Sequence, residues 1–232
     1  MKNETGNDIG KLEMEVRDAV EQGEDIQEKV RKLTLEIISS RSLDIKSVRQ
    51  TADAVLRGAR AGVQKELERS SAQIGLVHEH LKQAVTGLDV ALAQFAEAAK
   101  LTVEEAASKA QEYSSDDLKR ARADLASLED MFVETLKSSA SAAKGVAGEI
   151  LHDLVAHTRI HGSAIGSQLK DTLAVFAHHI GAAGRAQAGA GLHLAKNTSD
   201  LVRKIAAGVL SGLAEHVRPD HGKPDSGKDK GK

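Results

Sequence analysis

The amino-acid sequence predicts an all-α protein, an elongated bundle of long, largely antiparallel amphipathic helices with coiled-coil segments. Both prolines, Pro219 and Pro224, lie near the C-terminus, so the commonest helix breaker is absent before them. Aromatic side chains make up 2% of the chain, whereas sheet sandwiches favour aromatic and β-branched residues. Apolar residues also recur at helical spacing. We therefore expect a core of Leu, Ile, Val and Ala on helices packed side by side.

Composition excludes several functional classes. The formal net charge of −2 lacks the basic excess of nucleic-acid-binding proteins, so we expect no nucleic-acid partner. Without cysteine the chain has no disulfide, thiol nucleophile or thiolate metal site. Residues 1–16 lack the apolar stretch of a secretory signal. We expect a cytoplasmic protein, and a position at the periphery of a membrane or inclusion surface stays open.

Residues 1–41 form an acidic segment with one apolar seam. Its apolar positions step by three and four residues, the a/d pattern of a coiled coil, at Ile9, Leu12, Val16, Ala19, Gly23, Ile26, Val30, Leu33 and Ile37. Gly23 is followed by two acidic residues and is a candidate break between two helices. Serines at positions 39, 40 and 42 predict the turn that ends the segment.

Residues 43–113 are predicted to form one long helix, over about 43–100, and a short capped helix after it. Large apolar residues recur every seven positions at Leu67, Ile74, Leu81, Leu88 and Phe95. We interpret this line as a self-association seam and expect a homo-oligomer, whether the helices pair within one chain or between two. Thr102 and Glu105 match a capping box, which predicts a helix start at Thr102.

Residues 116–217 form a region rich in Ala, Gly and His. Asp116 and Asp117 follow two serines and predict a helix N-terminus. Charges are sparse between positions 145 and 197, where Leu154, Ile165 and Phe176 are eleven residues apart. This period gives a nearly straight apolar stripe, found in lipid-bound amphipathic proteins and in some straight bundles. Glycines between positions 181 and 191 predict a weak or broken helix.

A last amphipathic helix is predicted over about 199–217. Its apolar face is the candidate contact with a surface or partner and includes Leu201, Ile205, Val209 and Leu213. Residues 218–232 are polar and low in complexity, which predicts a disordered tail.

Small residues four apart suggest close helix packing rather than membrane dimerisation. The pairs are Gly58 and Gly62, Gly162 and Gly166, and Gly208 and Gly212. The stretch from Thr172 to Ala195 is long enough to span a bilayer, but its polar groups and glycines favour an interfacial amphipathic helix instead.

No enzyme motif is complete. Gly189–Gly191 lacks the third glycine of a dinucleotide fingerprint, and the serine within Gly162–Gly166 is one place early for a nucleophile elbow. We therefore predict a non-enzymatic protein with no catalytic residues, no cofactor and no metal site.

Four histidines would share one helix edge if the helix were unbroken: His157, His161, His179 and His193. We interpret them as boundary residues half-buried between helices. A pH-tuned contact and transition-metal binding are the less favoured alternatives.

The chain resembles phasins, the helical proteins that coat bacterial polyester storage granules, and more distantly the exchangeable apolipoproteins. The shared features are Ala-rich amphipathic helices, few aromatics, no cysteine, a heptad segment and a lysine-containing tail. The resemblance is one of composition and helical character over most of the chain, and it implies no functional residue. It implies non-catalytic coating of a hydrophobic surface, with the coiled-coil part driving oligomerisation.

Three classes of function stay open: a surface coat, a soluble scaffold or adaptor and, least favoured, an enzyme or metal protein that uses the histidine edge. In the coat hypothesis, residues 146–217 lie on a hydrophobic granule or membrane-like surface and residues 9–98 oligomerise. In the scaffold hypothesis, every apolar stripe is buried in a helical bundle and the partners are proteins. The sharp a/d seam favours the scaffold. The sparse charge between positions 145 and 197 favours the coat, which is the function that we predict, with the scaffold as the alternative.

Overall fold

The computed structural model describes residues 2–40, 45–69, 74–108 and 115–189, and these residues form α-helices without any strand. The eight helices are α1 (Lys2–Gln22), α2 (Ile26–Ser40), α3 (Ile45–Arg69), α4 (Ile74–Ser108), α5 (Ser115–Ala126), α6 (Leu128–Ala142), α7 (Gly145–His161) and α8 (Ala164–Gly189). The predicted all-α class is confirmed.

The break between α1 and α2 lies at Gly23, as the sequence predicts. Gly23 has a φ of +73°, a conformation that glycine adopts without steric cost, and its N–H donates to the carbonyls of Ala19 and Val20. Asp25 also has a positive φ, of 49°. The chain therefore leaves the helical conformation here and starts again at Ile26.

The single long helix predicted over 43–100 is wrong. Nδ1 of His80 lies 2.9 Å from Oε1 of Glu66, fourteen residues earlier. In one straight helix those residues would be about 21 Å apart along the axis. The chain instead folds back, and α3 and α4 form a hairpin. The heptad pattern specifies which face is buried but does not specify whether the covering helix lies in the same chain.

The hairpins α1/α2 and α3/α4 pack side by side, with α1 parallel to α3. Arg57 pairs with Glu13 at 2.9 Å, and Lys65 pairs with Glu21 at 2.7 Å, so the contacts advance together along both helices. Gly62 brings the helices together, since a Cβ built there would lie 2.7 Å from Cβ of Val20. The predicted role of this glycine in close packing is confirmed.

Helix α2 runs parallel to α4 in the same way. The carbonyl of Gln27 lies against Gly87, and NH1 of Arg31 donates to Oε1 of Gln94 at 2.7 Å. Because α3 and α4 are antiparallel, α1 and α2 are antiparallel as well. Within the first two hairpins, successive helices therefore alternate in direction, whereas α1 points the same way as α3 and α2 the same way as α4.

Helix α4 runs through Thr102, so the predicted capping box is wrong. Oγ1 of Thr102 donates to the carbonyl of Ala98 at 2.7 Å, inside a helix that continues to Ser108. Val103 and Ala106 are buried and extend the apolar face of α4. Packing thus overrides the local capping signal.

The second half of the described chain is a hairpin with two interrupted arms. One arm is α5 and α6, interrupted at Ser127, and the other is α7 and α8, interrupted at Gly162 and Ser163. Ser163 donates a hydrogen bond to Oε1 of Glu129 at 2.8 Å, so the interruptions lie side by side. The helix start at the two aspartates is confirmed, since Asp116 and Asp117 lie in the first turn of α5.

The helix break predicted at Gly181 and Gly184 is wrong, because α8 continues through both to Gly189. Gly191, in the second predicted glycine cluster, lies outside the described residues. An interior glycine costs only about 1 kcal/mol relative to alanine. Ile180 and Ala183 pack against the core there and offset that cost. Glycine acts as a break where the backbone needs a positive φ, at Gly162 with +83°.

One core collects apolar residues from all eight helices. The eleven-residue line is part of it, since Leu154 is 9% exposed and Ile165 and Phe176 are fully buried. The charge-poor stretch therefore turns its stripe toward the chain's own helices. Among the helices of the described ranges, none combines the length and apolar character needed to cross a membrane.

Candidate functional site: the outer face of α7 and the joints beneath it

A carboxylate on α4 caps the N-terminus of α8, where the chain passes from α7 to α8. Oδ2 of Asp89 accepts a hydrogen bond from the N–H of Ala164 at 2.8 Å, and Oδ1 accepts one from Ile165 at 3.1 Å. These N–H groups begin α8 and have no acceptor within the helix. Burial raises the pKa of Asp89, the two hydrogen bonds oppose this, and the nearby Glu129 carboxylate adds to the rise.

Ser163 completes the joint. Its Oγ accepts from the N–H of Gly166 at 2.9 Å and donates to Oε1 of Glu129 at 2.8 Å. We call Asp89, Glu129 and Ser163 the α8 cap. It fixes the start of α8 against α4 and α6. The local signal for it is a glycine that ends α7 followed by a serine in the N-cap position, whereas no sequence pattern indicates the two carboxylates.

A second polar contact joins α3 to α4 and lies against the turn between α1 and α2. The His80 and Glu66 side chains are 8% and 14% exposed, and their contact links α3 to α4. A Cβ at Gly23 would lie 2.9 Å from Cε1 of His80, so the α1/α2 turn rests on the same ring. Sequence analysis missed this pair because its members are distant in sequence.

The histidines do not form the predicted edge. His157 and His161 lie on α7 and His179 lies on α8, beyond the interruption at Gly162 and Ser163. His157 and His161 are exposed rather than half-buried between helices, and only His179 has intermediate burial. The rings of His157 and His161 are adjacent, with centroids 4.4 Å apart and ring planes inclined at 39° to each other. His193 lies outside the described residues.

The exposed side of α7 is the candidate interaction surface. Ile160 on this side is 76% exposed, the highest value among the exposed large hydrophobic side chains of the described chain. His157 and His161 flank it along the helix, and Asp153 lies one turn earlier. The other exposed large hydrophobics are on α1 and α4, namely Met14, Ile74, Leu76 and Leu101.

The predicted self-association seam is mostly covered by the chain itself. Leu81 and Leu88 are fully buried, Phe95 is 6% exposed, and Leu67 is partly buried against the core. Ile74 is 51% exposed. Contact with a second copy through the buried members requires the helices to separate, and self-association stays a prediction. The predicted surface contacts Leu201, Ile205, Val209 and Leu213 lie outside the described residues.

The described helices hold no group of three or more His, Asp or Glu side chains arranged to bind a metal ion. The α8 cap and the His80–Glu66 pair each join helices to one another. Their hydrogen bonds therefore serve packing between helices.

These features define an all-α helical bundle with buried polar joints. The chain belongs to the family DUF6781, described as a family of unknown function, whose model matches residues 2–219. Comparison of the chain with curated proteins and with solved structures found no match.

Proposed function

We propose that this protein is a non-enzymatic helical-bundle scaffold or adaptor that acts through contacts with other proteins. The observation that supports this most is the burial of Leu154, Ile165 and Phe176, the stripe that a surface coat would have to expose. A bundle that has already buried its apolar stripes gains little by spreading on a hydrophobic surface.

The outer face of α7 is the contact surface in this proposal. It combines an exposed isoleucine with ionisable side chains, the mixture of an apolar centre and a polar rim that protein interfaces use. The α8 cap lies at the end of this helix and holds it in place, so the face is presented by a rigid element. Absence of catalytic chemistry, a cytoplasmic location and a homo-oligomeric state belong to the same proposal.

Flotation tests the scaffold against the coat. Purified protein is mixed with anionic liposomes or with polyester particles, and circular dichroism is recorded before and after mixing. The scaffold proposal expects the protein to remain in the bottom fraction with unchanged helicity. Co-flotation with a change in helicity would contradict it.

The coat is the second candidate, and one observation favours it. Helix α8 is the last described helix and packs mainly on α4 and α5, so it can separate without disrupting the contacts between the first two hairpins. The amphipathic segment predicted over 199–217 follows it. In this proposal α8 leaves the bundle and turns its stripe to the surface, with the protein peripheral to a membrane or granule.

A disulfide between α4 and α8 separates the two candidates. Thr172 Oγ1 lies 3.3 Å from the carbonyl of Ala96, and the chain has no cysteine of its own. In the variant Ala96→Cys/Thr172→Cys, a disulfide whose formation is verified by thiol titration would lock α8 in place, and the same protein after reduction is the matched control. Flotation of the reduced protein but not of the oxidised protein would support the coat. Equal flotation of both forms would exclude an opening of α8.

A further inference from the structure

We propose that His157 and His161 form a bidentate site for a divalent transition-metal ion, of the class of Zn²⁺, Ni²⁺ and Cu²⁺, on the outer face of α7. This inference is independent of the proposed scaffold function. It departs from the expectation of no metal site, because both rings are exposed and adjacent instead of being packed between helices.

The spacing of the rings suits chelation. Residues four apart on a helix are neighbours on one face. A ring nitrogen binds zinc at about 2.0–2.1 Å, which puts the ring centroid about 3.2 Å from the ion. Two rings bound with an N–metal–N angle of about 90–110° therefore have centroids about 4.5–5.2 Å apart. The observed 4.4 Å lies just below that range. Small rotations of exposed side chains therefore bring one nitrogen from each ring to a common ion.

The surroundings of the pair permit a cation. Arg159 is two residues from each histidine and is directed away from their shared face by the helical periodicity. Asp153 lies one turn before His157 and contributes a negative charge to the same side of the helix. Imidazole nitrogens suit zinc, copper and nickel, and water completes the coordination of a metal held by two protein ligands.

Nickel titration of the full-length, untagged chain tests the site. Isothermal titration calorimetry compares wild type with His157→Gln and His161→Gln, and each variant keeps the other nine histidines. Because two ligands on one helix act at a high effective concentration, each substitution is expected to weaken the tightest Ni²⁺ binding about tenfold or more. Excess Ni²⁺ is also expected to raise the Tm of wild type and to leave the Tm of both variants nearly unchanged.

His152→Gln is the matched control, since His152 is exposed on the same helix. It is expected to bind Ni²⁺ like wild type. Circular dichroism verifies folding of each variant, and the two single substitutions test the pair from either ring, so a folding defect in one of them does not decide the result. Unchanged Ni²⁺ affinity in His157→Gln and His161→Gln, or an equal loss in His152→Gln, would overturn the proposal.

Discussion

Three glycines, Gly58, Gly62 and Gly87, lie where one hairpin touches the other. A Cβ at Gly58 would overlap the carbonyl oxygen of Glu13 and lie 3.0 Å from Cβ of Val16. Backbone atoms of a packed helix cannot move aside as a flexible side chain can. The parallel pairing of the hairpins therefore depends on the absence of side chains at these positions.

Gly58→Ala is expected to lower the free energy of unfolding by about 1–3 kcal/mol through overpacking, even though alanine is the better helix former. Gly10→Ala is the matched control, because a Cβ at Gly10 meets nothing within 4 Å. That substitution should be neutral or stabilise by up to about 1 kcal/mol. Urea denaturation measures both, and equal effects would contradict the close approach of α1 and α3.

Asp89 makes the stability of the α8 cap depend on pH. Its folded pKa is raised above the unfolded value of about 3.9, so between these two values the folded state binds more protons than the unfolded state. Its contribution to stability therefore grows as the pH falls through this window and decreases as the pH rises through it. At neutral pH the buried carboxylate contributes least.

Asp89→Asn is expected to remove this dependence, since asparagine can cap a helix but does not titrate. The free energy of unfolding of wild type, relative to that of Asp89→Asn, should increase as the pH is lowered from 7 toward 4. Asp89→Ala leaves the N–H groups of Ala164 and Ile165 without an acceptor and should cost about 1–3 kcal/mol at pH 7. A wild type–Asn difference that is constant across the range would contradict this account.

Among the elements, the ends with a local chemical signal are predictable from sequence. Gly23 ends α1, and the serine and aspartates near position 116 begin α5, because turn and capping chemistry acts within a few residues. The α3/α4 hairpin is not predictable in this way. It forms through contacts between residues distant in sequence, such as Glu66 and His80, and the heptad line continues through the break.

The Glu66–His80 contact is expected to stabilise the α3/α4 hairpin measurably. A double-mutant cycle with Glu66→Ala and His80→Ala should give a coupling energy of about 0.5–3 kcal/mol, because the two side chains share one buried contact. His78→Ala is the control, since His78 is exposed on the same helix, and it should change stability by less than about 0.5 kcal/mol. Additive effects of the two buried substitutions would show that the pair is not coupled.

For the whole molecule, sequence periodicity identifies the buried stripes but not what covers them. Leu154, Ile165 and Phe176 repeat every eleven residues, a period compatible with a straight bundle and with a lipid-bound helix. In the structure the stripe continues across the interruption at Gly162 and Ser163 and remains buried on both sides. The all-α class was predictable because it needs only local periodicity, whereas the choice between bundle and coat depends on tertiary contacts.

Hydrogen–deuterium exchange of the full-length protein, with and without anionic liposomes, tests most directly whether α7 and α8 bury their stripe within the chain. The bundle account predicts slow exchange in the amides of residues 150–155 and 165–176, comparable with the interior of α4, and no change when liposomes are added. Rapid joint exchange of α7 and α8, or altered protection on liposomes, would contradict the account and favour a helix pair that opens onto a surface.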